Sequence, residues 1–405
     1  MTRNQKILLI VILILGSFFL FFRLGRPDML GDDATYAFRS IKYFDYMGSE
    51  KQTTPVQWFG QRPIWSYLSF HDHPPLYFLI HFLVFSIFGV STLIARFPSA
   101  LAALGSIVLI FIIGRKLGGD RLGIWSAIFL TLNNFFIWTG RVGYLESIFI
   151  FFMLIGVYYL VRAFTESESY LKYAAFFLGL AFLTKYTLLL MLPGLLVYVL
   201  WKKRALFAKR VFWQAVLIFI LTISPVLVFN LFVFTSRGHF DVQFDRLIPF
   251  PHSDWDILKN SGVGSGFVLP VVISNLANGF SQPYFILFVF SLIVAIFGIW
   301  RGKRNPIFAL PILIVFSFTL GFAATNPAER LLGVISPFVA LILAAGTPNN
   351  IKQLPWIALV SLVLVFSAFN ILNTNHFSVF QKRNFKSYSK IIFSIFSLDH
   401  YFGGC

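Results

Sequence analysis

Residues 7–22 read ILLIVILILGSFFLFF, and residues 31–37 read GDDATYA. The first stretch is apolar throughout and has no small-residue cleavage site before Arg23, so we interpret it as an uncleaved membrane anchor. The second places two adjacent carboxylates, Asp32 and Asp33, ten residues beyond the end of that anchor. An acidic pair just outside a membrane suits a water-facing general base or metal site. A solvated pair in an external loop is the alternative.

Composition identifies a membrane protein with several spans. Hydrophobic residues make up 58% of the chain and charged residues 12%, with a mean hydropathy of +0.78, which excludes a water-soluble surface. The net charge of +17 comes from basic residues that lie between apolar segments. We therefore expect topology signals and phosphate-binding residues and no nucleic-acid partner. The single cysteine, Cys405, excludes an intrachain disulfide and a Cys-based metal cluster.

Apolar segments near the roughly 20 residues that a bilayer requires predict an all-α polytopic membrane protein with about 11 transmembrane helices. Two short segments meet at Lys185. Residues 74–89 are apolar but too short to cross easily, and we expect them to lie in the outer membrane interface. Besides the anchor, the predicted spans are residues 96–115, 121–139, 144–163, 171–184, 186–201, 211–234, 283–300, 306–325, 330–346 and 355–372.

Loop charge orients these predicted helices. Short cytoplasmic loops collect Lys and Arg, so the basic N-terminus lies inside, and the basic clusters at 115–121, 202–210 and 301–304 then lie inside as well. Most of the acidic residues fall on the opposite face. We therefore expect a multi-pass protein of the cytoplasmic (plasma) membrane with an outward-facing active site. Of the 16 acidic residues, three lie inside: Asp120, Glu166 and Glu168.

The predicted domain organisation is one transmembrane domain, residues 1–372, followed by a short C-terminal tail, residues 373–405. Two outer loops are long, one from about 23 to 95 and the other from about 235 to 282. The first is expected to form interfacial helices whose aromatic rings lie at the level of the lipid headgroups. These rings are Trp58, Trp65 and Tyr67.

Further short motifs follow GDDATYA in a defined order. They are HDHPPLY at 71–77, RFPSA at 96–100, RVGYLE at 141–146, LTK at 183–185, and ER at 329–330 followed by Pro337. Their order and spacing resemble those of the GT-C membrane glycosyltransferases, specifically the superfamily of protein O-mannosyltransferases and lipid A aminoarabinose transferases. The resemblance implies the GT-C glycosyltransferase fold. It also implies transfer of one sugar from a polyprenyl-phosphate donor to a lipid, glycan or protein acceptor on the non-cytoplasmic face.

The same resemblance assigns roles to the carboxylates. Asp32 takes the position of the acid proposed to remove the acceptor proton. Asp33 stands where the family usually has Glu, and Glu146 stands where many members have Asp. These three residues are the predicted catalytic residues, and the resemblance implies that the reaction inverts the sugar configuration.

The chemistry gives independent reasons for these residue types. A carboxylate within hydrogen-bond reach can accept the proton of an attacking hydroxyl or amine. Fixed cations stabilise the negative charge that develops on a leaving lipid phosphate, and Arg141, Lys185 and Arg330 are the candidates. An arginine at the end of a span can also simply extend to the headgroups. Lys185 interrupts an apolar stretch, where a cation is costly without water, a partner or an anion.

Two histidines, His71 and His73, are further candidates for substrate binding. They could also hold a divalent metal ion together with Asp32 or Glu146, because imidazole and carboxylate are suitable metal ligands. Hydrogen bonding within a loop is the alternative for such histidines. The sequence requires no cofactor and leaves a divalent metal ion as an open question.

Two other functions use the same lipids. A transporter or flippase of lipid-linked sugars would favour inverted repeats and charges near the membrane midplane, which the sequence does not show. A lipid-linked oligosaccharide ligase would use a diphosphate-linked donor and remains open. The chain carries no Walker or Rossmann glycine pattern in a suitable context, which argues against ATP or a nucleotide-sugar donor.

Overall fold

The computed structural model describes most of the transmembrane domain. All regular secondary structure in the described residues is helical, which confirms the predicted all-α class. The predicted tail and most of the predicted span at 355–372 lie outside these residues, as does part of the second long outer loop. The described residues are 1–26, 29, 31–45, 54–247, 255, 267–325, 329–347, 363–365, 367, 368 and 371.

The described residues contain 15 α-helices. In chain order they are α1 (Arg3–Phe21), α2 (Asp32–Ile41), α3 (Pro55–Phe59), α4 (Leu76–Phe88), α5 (Thr92–Thr131), α6 (Asn134–Arg141), α7 (Leu145–Thr165), α8 (Leu171–Thr184), α9 (Leu192–Lys202), α10 (Arg210–Arg237), α11 (Val242–Leu247), α12 (Leu269–Phe280), α13 (Gln282–Trp300), α14 (Ala309–Thr325) and α15 (Ser336–Gly346).

In the described part of the chain, six helices are long and apolar enough to cross a membrane. They are α1, α5, α7, α10, α13 and the segment 306–325 that contains α14. Four shorter apolar helical segments accompany them: Leu76–Phe88, Tyr186–Lys202, Leu269–Phe280 and Arg330–Gly346. The protein is therefore a multi-pass integral membrane protein, and the number of about 11 spans stays a prediction.

The span predicted at 96–115 and the first part of the span predicted at 121–139 lie in α5, which is broken at two glycines. The rest of the span predicted at 121–139 lies in α6, because α5 ends at Thr131 and α6 begins at Asn134. Gly118 and Gly119 have non-helical backbone angles, with a φ of +84° at Gly119. The two arms pack closely beside this break, because a Cβ on Gly123 would lie 2.6 Å from the carbonyl oxygen of Phe111. Glycine therefore allows the chain to reverse at the position where the sequence predicts a loop.

The core of the bundle forms around α5 and α7. Helix α7 packs between α5 and α8, α10 packs on α8, and both α1 and α15 pack on α5. Many apolar side chains of α10 and α13 remain exposed, as expected for helices that face lipid. This packing brings the end of α1, the end of α8 and the start of α7 to the same end of the bundle as α2.

The first outer loop folds into short helices, as predicted. It contains α2, α3, a 3₁₀ helix at Ile64–Tyr67, and α4. Helix α4 has 13 residues and is therefore roughly 20 Å long, which is less than the hydrocarbon thickness of a bilayer. This length fits the interfacial location predicted for residues 74–89. Helices α2 and α4 pack against each other.

Candidate active site

The two adjacent carboxylates lie in the first turn of α2 and point in different directions. Gly31 precedes them with a φ of +57°, which lets the chain turn into the helix. The N-terminus of a helix also favours negative charge. The side chain of Asp33 is buried and that of Asp32 is 36% exposed. The two acids are therefore suited to different tasks.

Asp33 joins three parts of the fold. Its carboxylate accepts hydrogen bonds from Arg96 Nε at 2.9 Å, from Arg96 Nη2 at 2.6 Å and from the backbone N–H of Gly143 at 2.9 Å. Burial raises the pKa of Asp33, and the Arg96 guanidinium lowers it in part. A Cβ on residue 143 would collide with the Asp33 carboxylate. Asp33 therefore fixes α2 to α5 and to the turn between α6 and α7, and its catalytic role stays a prediction.

Asp32 forms an ion pair with Arg330. Arg330 belongs to the 3₁₀ helix Glu329–Ile335, which packs against α6 and α7. The guanidinium lies over the ring of Tyr144, 5.0 Å from its centroid. The hydroxyl of Tyr36 donates to Asp32 Oδ2 at 3.3 Å. Sequence motifs almost 300 residues apart therefore meet at one carboxylate.

A second acid and cation pair lies beside the first. Lys185 Nζ donates to Glu146 Oε1 at 2.6 Å. Glu146 lies in the first turn of α7 and is 2% exposed, and Lys185 occupies an extended break after α8. The cation in the apolar stretch thus has a carboxylate partner. Glu146 is also near enough to Arg330 for its negative charge to help stabilise the positive charge of the guanidinium.

Arg141 faces another part of the molecule. Its Nη1 donates to the carbonyl oxygen of Phe19 at 2.5 Å and its Nη2 to that of Phe22 at 2.9 Å. These oxygens lie at the C-terminus of α1, where carbonyls lack partners within the helix and carry partial negative charge. Arg141 therefore anchors α1, and its predicted role in substrate binding stays a prediction.

The histidines belong to a network that extends away from Asp32. His71 Nδ1 lies 2.7 Å from Asp45 Oδ1, and the backbone N–H of His71 donates to Asp45 Oδ2 at 2.8 Å. Asp72 accepts from Arg39 Nη1 at 2.8 Å and lies 3.6 Å from His71 Nε2. Burial lowers the pKa of His71, but the Asp45 and Asp72 carboxylates outweigh it and raise the pKa. These two carboxylates thus favour the protonated form of His71.

Tyr36 connects this network to the first acid pair. Its hydroxyl lies 3.2 Å from His73 Nε2 as well as near Asp32, and His73 Nδ1 lies 3.0 Å from Asp72 Oδ1. Burial raises the pKa of Tyr36 far above its usual value, and Asp32, Glu146 and Asp72 raise it further. The hydroxyl therefore stays protonated. Asp32 and His73 contact this hydroxyl, and Glu146 and Arg330 lie near enough to affect its pKa.

The four metal ligands predicted from the sequence do not converge. Asp32 pairs with Arg330, and Glu146 pairs with Lys185. Within the described residues, one group of acids and histidines has ligand atoms within 4.8 Å of one another: Asp45, His71 and Asp72. Two carboxylates and an imidazole suit a divalent transition metal. Such an ion would have to replace the His71 proton and compete with Arg39, so the group fits a metal only in part.

The described part of the second long loop contacts the histidine segment. The backbone N–H of Val242 donates to the carbonyl oxygen of His71 at 2.8 Å. Beside it, buried Asp241 accepts hydrogen bonds from the Tyr186 hydroxyl at 2.8 Å and from Asn230 Nδ2 at 3.1 Å. Burial raises the pKa of Asp241 to about 6. Asp241 lies in the segment predicted as the second long outer loop and is not among the site residues predicted from the sequence.

Comparison with known proteins supports the resemblance read from the motifs. Residues 72–229 match the family model described as dolichyl-phosphate-mannose-protein mannosyltransferase. An uncharacterized protein of Aquifex aeolicus (strain VF5) is 28% identical over 291 residues, which are 68% of this chain and 65% of that protein. A second uncharacterized protein of the same organism is 31% identical over 129 residues, which are 31% of this chain and 26% of that protein. The chain thus spans a little under two thirds of the first relative.

Solved structures share the fold at low sequence identity. The crystal structure of ArnT from Cupriavidus metallidurans bound to undecaprenyl phosphate has a TM-score of 0.64 at 15% identity, covering 92% of this chain and 66% of that chain. Archaeal oligosaccharyltransferase AglB from Archaeoglobus fulgidus, in complex with an inhibitory peptide and a dolichol-phosphate, has a TM-score of 0.59 at 12% identity. It covers 91% of this chain and 55% of that chain. The chain has the GT-C fold.

Sequence reasoning overlooked three residues of this GT-C site. Tyr36 and Arg39 follow Asp32 by four and seven positions, so helical spacing places all three on one face of α2. That spacing could have identified both. Asp45 carried no signal beyond the scarcity of acids, because its pairing with His71 depends on how the loop folds.

Proposed function

We propose that this GT-C chain transfers a single sugar from a polyprenyl-phosphate donor to a hydroxyl or amine acceptor. The observation that carries this proposal is the pairing of Asp32 with Arg330 beside the pairing of Glu146 with Lys185. One partly exposed carboxylate, with two cations nearby, offers both a proton acceptor and a receptor for phosphate. The loop-charge argument supports a location on the non-cytoplasmic face of the plasma membrane.

Asp32 acts as the general base in this proposal. The acceptor oxygen or nitrogen attacks the anomeric carbon of the sugar and gives its proton to the Asp32 carboxylate. The bond between that carbon and the phosphate oxygen breaks, and its electron pair stays on the phosphate. Because the displacement occurs in one step, the configuration at the anomeric carbon inverts.

Arg330 and Lys185 would stabilise the departing phosphate. Arg330 is 30% exposed and reaches the open side of the site, whereas Lys185 is 12% exposed behind it. Charge-assisted hydrogen bonds from a guanidinium suit phosphate oxygens particularly well. Asp33 and Arg96 would serve the reaction by holding the start of α2, and His73 would hold Tyr36.

The donor class is supported by the matched relatives. The family description names dolichyl-phosphate-mannose, and the ArnT and AglB structures are titled as bound to undecaprenyl phosphate and dolichol-phosphate. We propose a lipid, glycan or protein acceptor and a hexose or pentose donor. The similarity of fold to AglB keeps a ligase with a diphosphate-linked donor as the second candidate.

We propose a displacement that uses no metal ion. The predicted ligands Asp32 and Glu146 are each engaged by a cation, and Arg39 engages Asp72 in the group that best fits a metal. A divalent ion at Asp45, His71 and Asp72 would supply additional positive charge near Tyr36. Transfer that survives a chelator supports the metal-free reaction, and transfer that requires added metal contradicts it.

The direct experiment offers purified protein a panel of polyprenyl-phosphate and polyprenyl-diphosphate sugars. Sugar release or transfer is compared between the wild type and Asp32→Asn, with and without chelator. Release from a monophosphate donor that depends on Asp32 supports the proposal and identifies the sugar. Release only from diphosphate donors favours the ligase. Translocation of the lipid in vesicles without any release supports a transporter and contradicts the proposal.

A further inference from the structure

The base and the phosphate receptor of the proposed reaction neutralise each other in this structure. Arg330 Nη2 donates to Asp32 Oδ2, the atom that also accepts from Tyr36. Both partners of this pair are about one third exposed, whereas the Asp33–Arg96 and Glu146–Lys185 pairs are largely buried. Among these three pairs, the Asp32–Arg330 pair is the one that an arriving ligand can reach and open.

Asp32 does not satisfy the whole guanidinium of Arg330. Its Nε is buried and has no hydrogen-bond partner, which is costly for a charged group. The ring of Tyr144 supports the guanidinium plane from one side, so the group can change partners without losing this contact. Asp32 in turn keeps its hydrogen bond from Tyr36 when Arg330 leaves. Both partners are therefore prepared for an exchange.

The neighbouring cations are less able than Arg330 to change partners, although Lys185 can still act on the phosphate from its place beside Glu146. Arg96 holds Asp33 and the carbonyl oxygen of Leu24, and Arg141 holds the end of α1. Lys185 is buried against Glu146, whose charge would be left uncompensated if the lysine moved away. Exchange at Arg330 exposes no buried charge, because Asp32 already contacts solvent.

We infer that donor binding releases the base: the lipid phosphate takes Arg330 from Asp32, and Asp32 then becomes free to accept the acceptor proton. This inference rests on the proposed function and concerns the order of events at the same site. Arg330 Nη2 occupies Asp32 Oδ2, and this oxygen becomes open to the acceptor's proton when the guanidinium moves to the phosphate. The acceptor is therefore activated only after the donor is in place.

The same exchange assists product release. During transfer the acceptor proton moves to Asp32, and the electron pair of the broken bond stays on the phosphate oxygen. The lipid phosphate thereby becomes a monoester with one more negative charge. Arg330 holds this product more strongly than the donor. Once Asp32 has passed its proton to water, its carboxylate competes for Arg330 and helps to displace the lipid phosphate. Asp32 is thus a competitor of phosphate as well as the base.

If Asp32 competes with phosphate for Arg330, replacing Asp32 should change the affinity for lipid phosphate. No such change is expected if Asp32 acts only as a base. Binding of undecaprenyl phosphate to the purified full chain in detergent micelles is measured for four proteins: wild type, Asp32→Asn, Arg330→Gln and the double variant. We expect Asp32→Asn to bind roughly two- to fivefold more tightly, the range that an exposed ion pair is worth. We expect Arg330→Gln to bind at least about tenfold more weakly. In the Arg330→Gln background, Asp32→Asn should have no effect.

A matched control removes a carboxylate from another exposed ion pair. Glu168 pairs with Lys209 on the predicted cytoplasmic side, so Glu168→Gln should leave lipid-phosphate binding unchanged. Each variant is checked by size-exclusion profile and thermal unfolding. Arg330→Lys replaces Arg330→Gln if the latter does not fold, because it keeps the charge and should weaken binding less.

The outcomes separate this inference from the proposed function. Unchanged or weaker lipid-phosphate binding by Asp32→Asn contradicts the exchange. If Asp32→Asn tightens binding equally in the wild type and in the Arg330→Gln variant, the effect comes from the loss of a negative charge alone, and the exchange is also contradicted. If the wild type also transfers sugar, the proposed function still stands. If the wild type neither binds lipid phosphate nor releases sugar from any donor, the proposed function fails, and this inference fails with it.

Discussion

Lys185 Nζ lies 2.6 Å from Glu146 Oε1, in a part of the chain where both neighbouring helices are apolar. The lysine is nearly buried and the glutamate is completely so. Each charge is therefore tolerated because of the other, since an unpaired ion in an apolar environment is strongly unfavourable. The pair links the start of α7 to the end of α8 and fixes both beside Asp32.

Removing one member of this pair should destabilise the protein more than removing the charge of both. We expect Lys185→Gln to lower the free energy of unfolding by about 3–5 kcal/mol, because it leaves Glu146 buried without a cation. The double variant Glu146→Gln with Lys185→Gln should recover most of that loss. Thermal unfolding in detergent micelles measures both effects. Equal destabilisation of the single and double variants would contradict the pairing.

Arg141 should behave as an anchor for α1. We expect Arg141→Met to lower the free energy of unfolding by about 1–3 kcal/mol, because it leaves the final carbonyls of α1 without a donor. Lipid-phosphate affinity should change little in the protein that remains folded, in contrast to Arg330→Gln. Loss of affinity at unchanged thermal stability would instead support the substrate-binding role predicted from the sequence.

Asp241 should make stability depend on pH. Its pKa is raised to about 6 in the folded protein, so the folded state binds more protons than the unfolded state between about pH 4 and pH 6. Stability should therefore fall as pH rises through this window. Asn at position 241 cannot titrate, so the Asp241→Asn variant should lose this part of the dependence of stability on pH. The melting temperatures of the wild type and the variant are measured between pH 4.5 and pH 7.5. If the two plots of melting temperature against pH are parallel, a raised pKa of Asp241 is contradicted.

Gly143 should be required to accommodate the side chain of Asp33 in its buried position. An alanine Cβ there would collide with the Asp33 carboxylate, which also accepts the backbone N–H of residue 143. We expect Gly143→Ala to reduce both thermal stability and sugar transfer. Gly333→Ala is the control, because its Cβ would come no closer than 3.2 Å to a neighbouring atom, the methyl group of Thr139, and would lie 3.4 Å from the ring of Phe135. Similar losses for both variants would contradict a specific role of Gly143.

The sequence predicted the elements better than their contacts. Hydropathy located the apolar helices because a membrane requires long apolar segments, and the two glycines at 118 and 119 separated two spans as expected. The motif order placed Asp32, Glu146, Lys185 and Arg330 in one region. It could not assign partners, because pairing depends on packing between segments that are far apart in the chain.

Arg141 shows where this reasoning reaches its limit. A basic residue at the end of a span has several equivalent roles in a sequence, and the approach of α1 decides that it contacts carbonyl oxygens. Similarly, Asp45 and Arg39 joined the histidine network only through the fold of the first outer loop. The spacing along α2 places Tyr36 and Arg39 on the same face as Asp32, but it does not identify their partners in other segments.

In the proposed reaction, the Asp32 carboxylate removes the acceptor proton during transfer from a lipid phosphate. The most direct measurement is the rate of sugar transfer by Asp32→Asn from a polyprenyl-phosphate donor, with donor binding measured on the same preparation. We expect Asp32→Asn to be folded, to retain donor binding and to transfer sugar more than about tenfold more slowly than the wild type. Near-normal transfer by Asp32→Asn would contradict it.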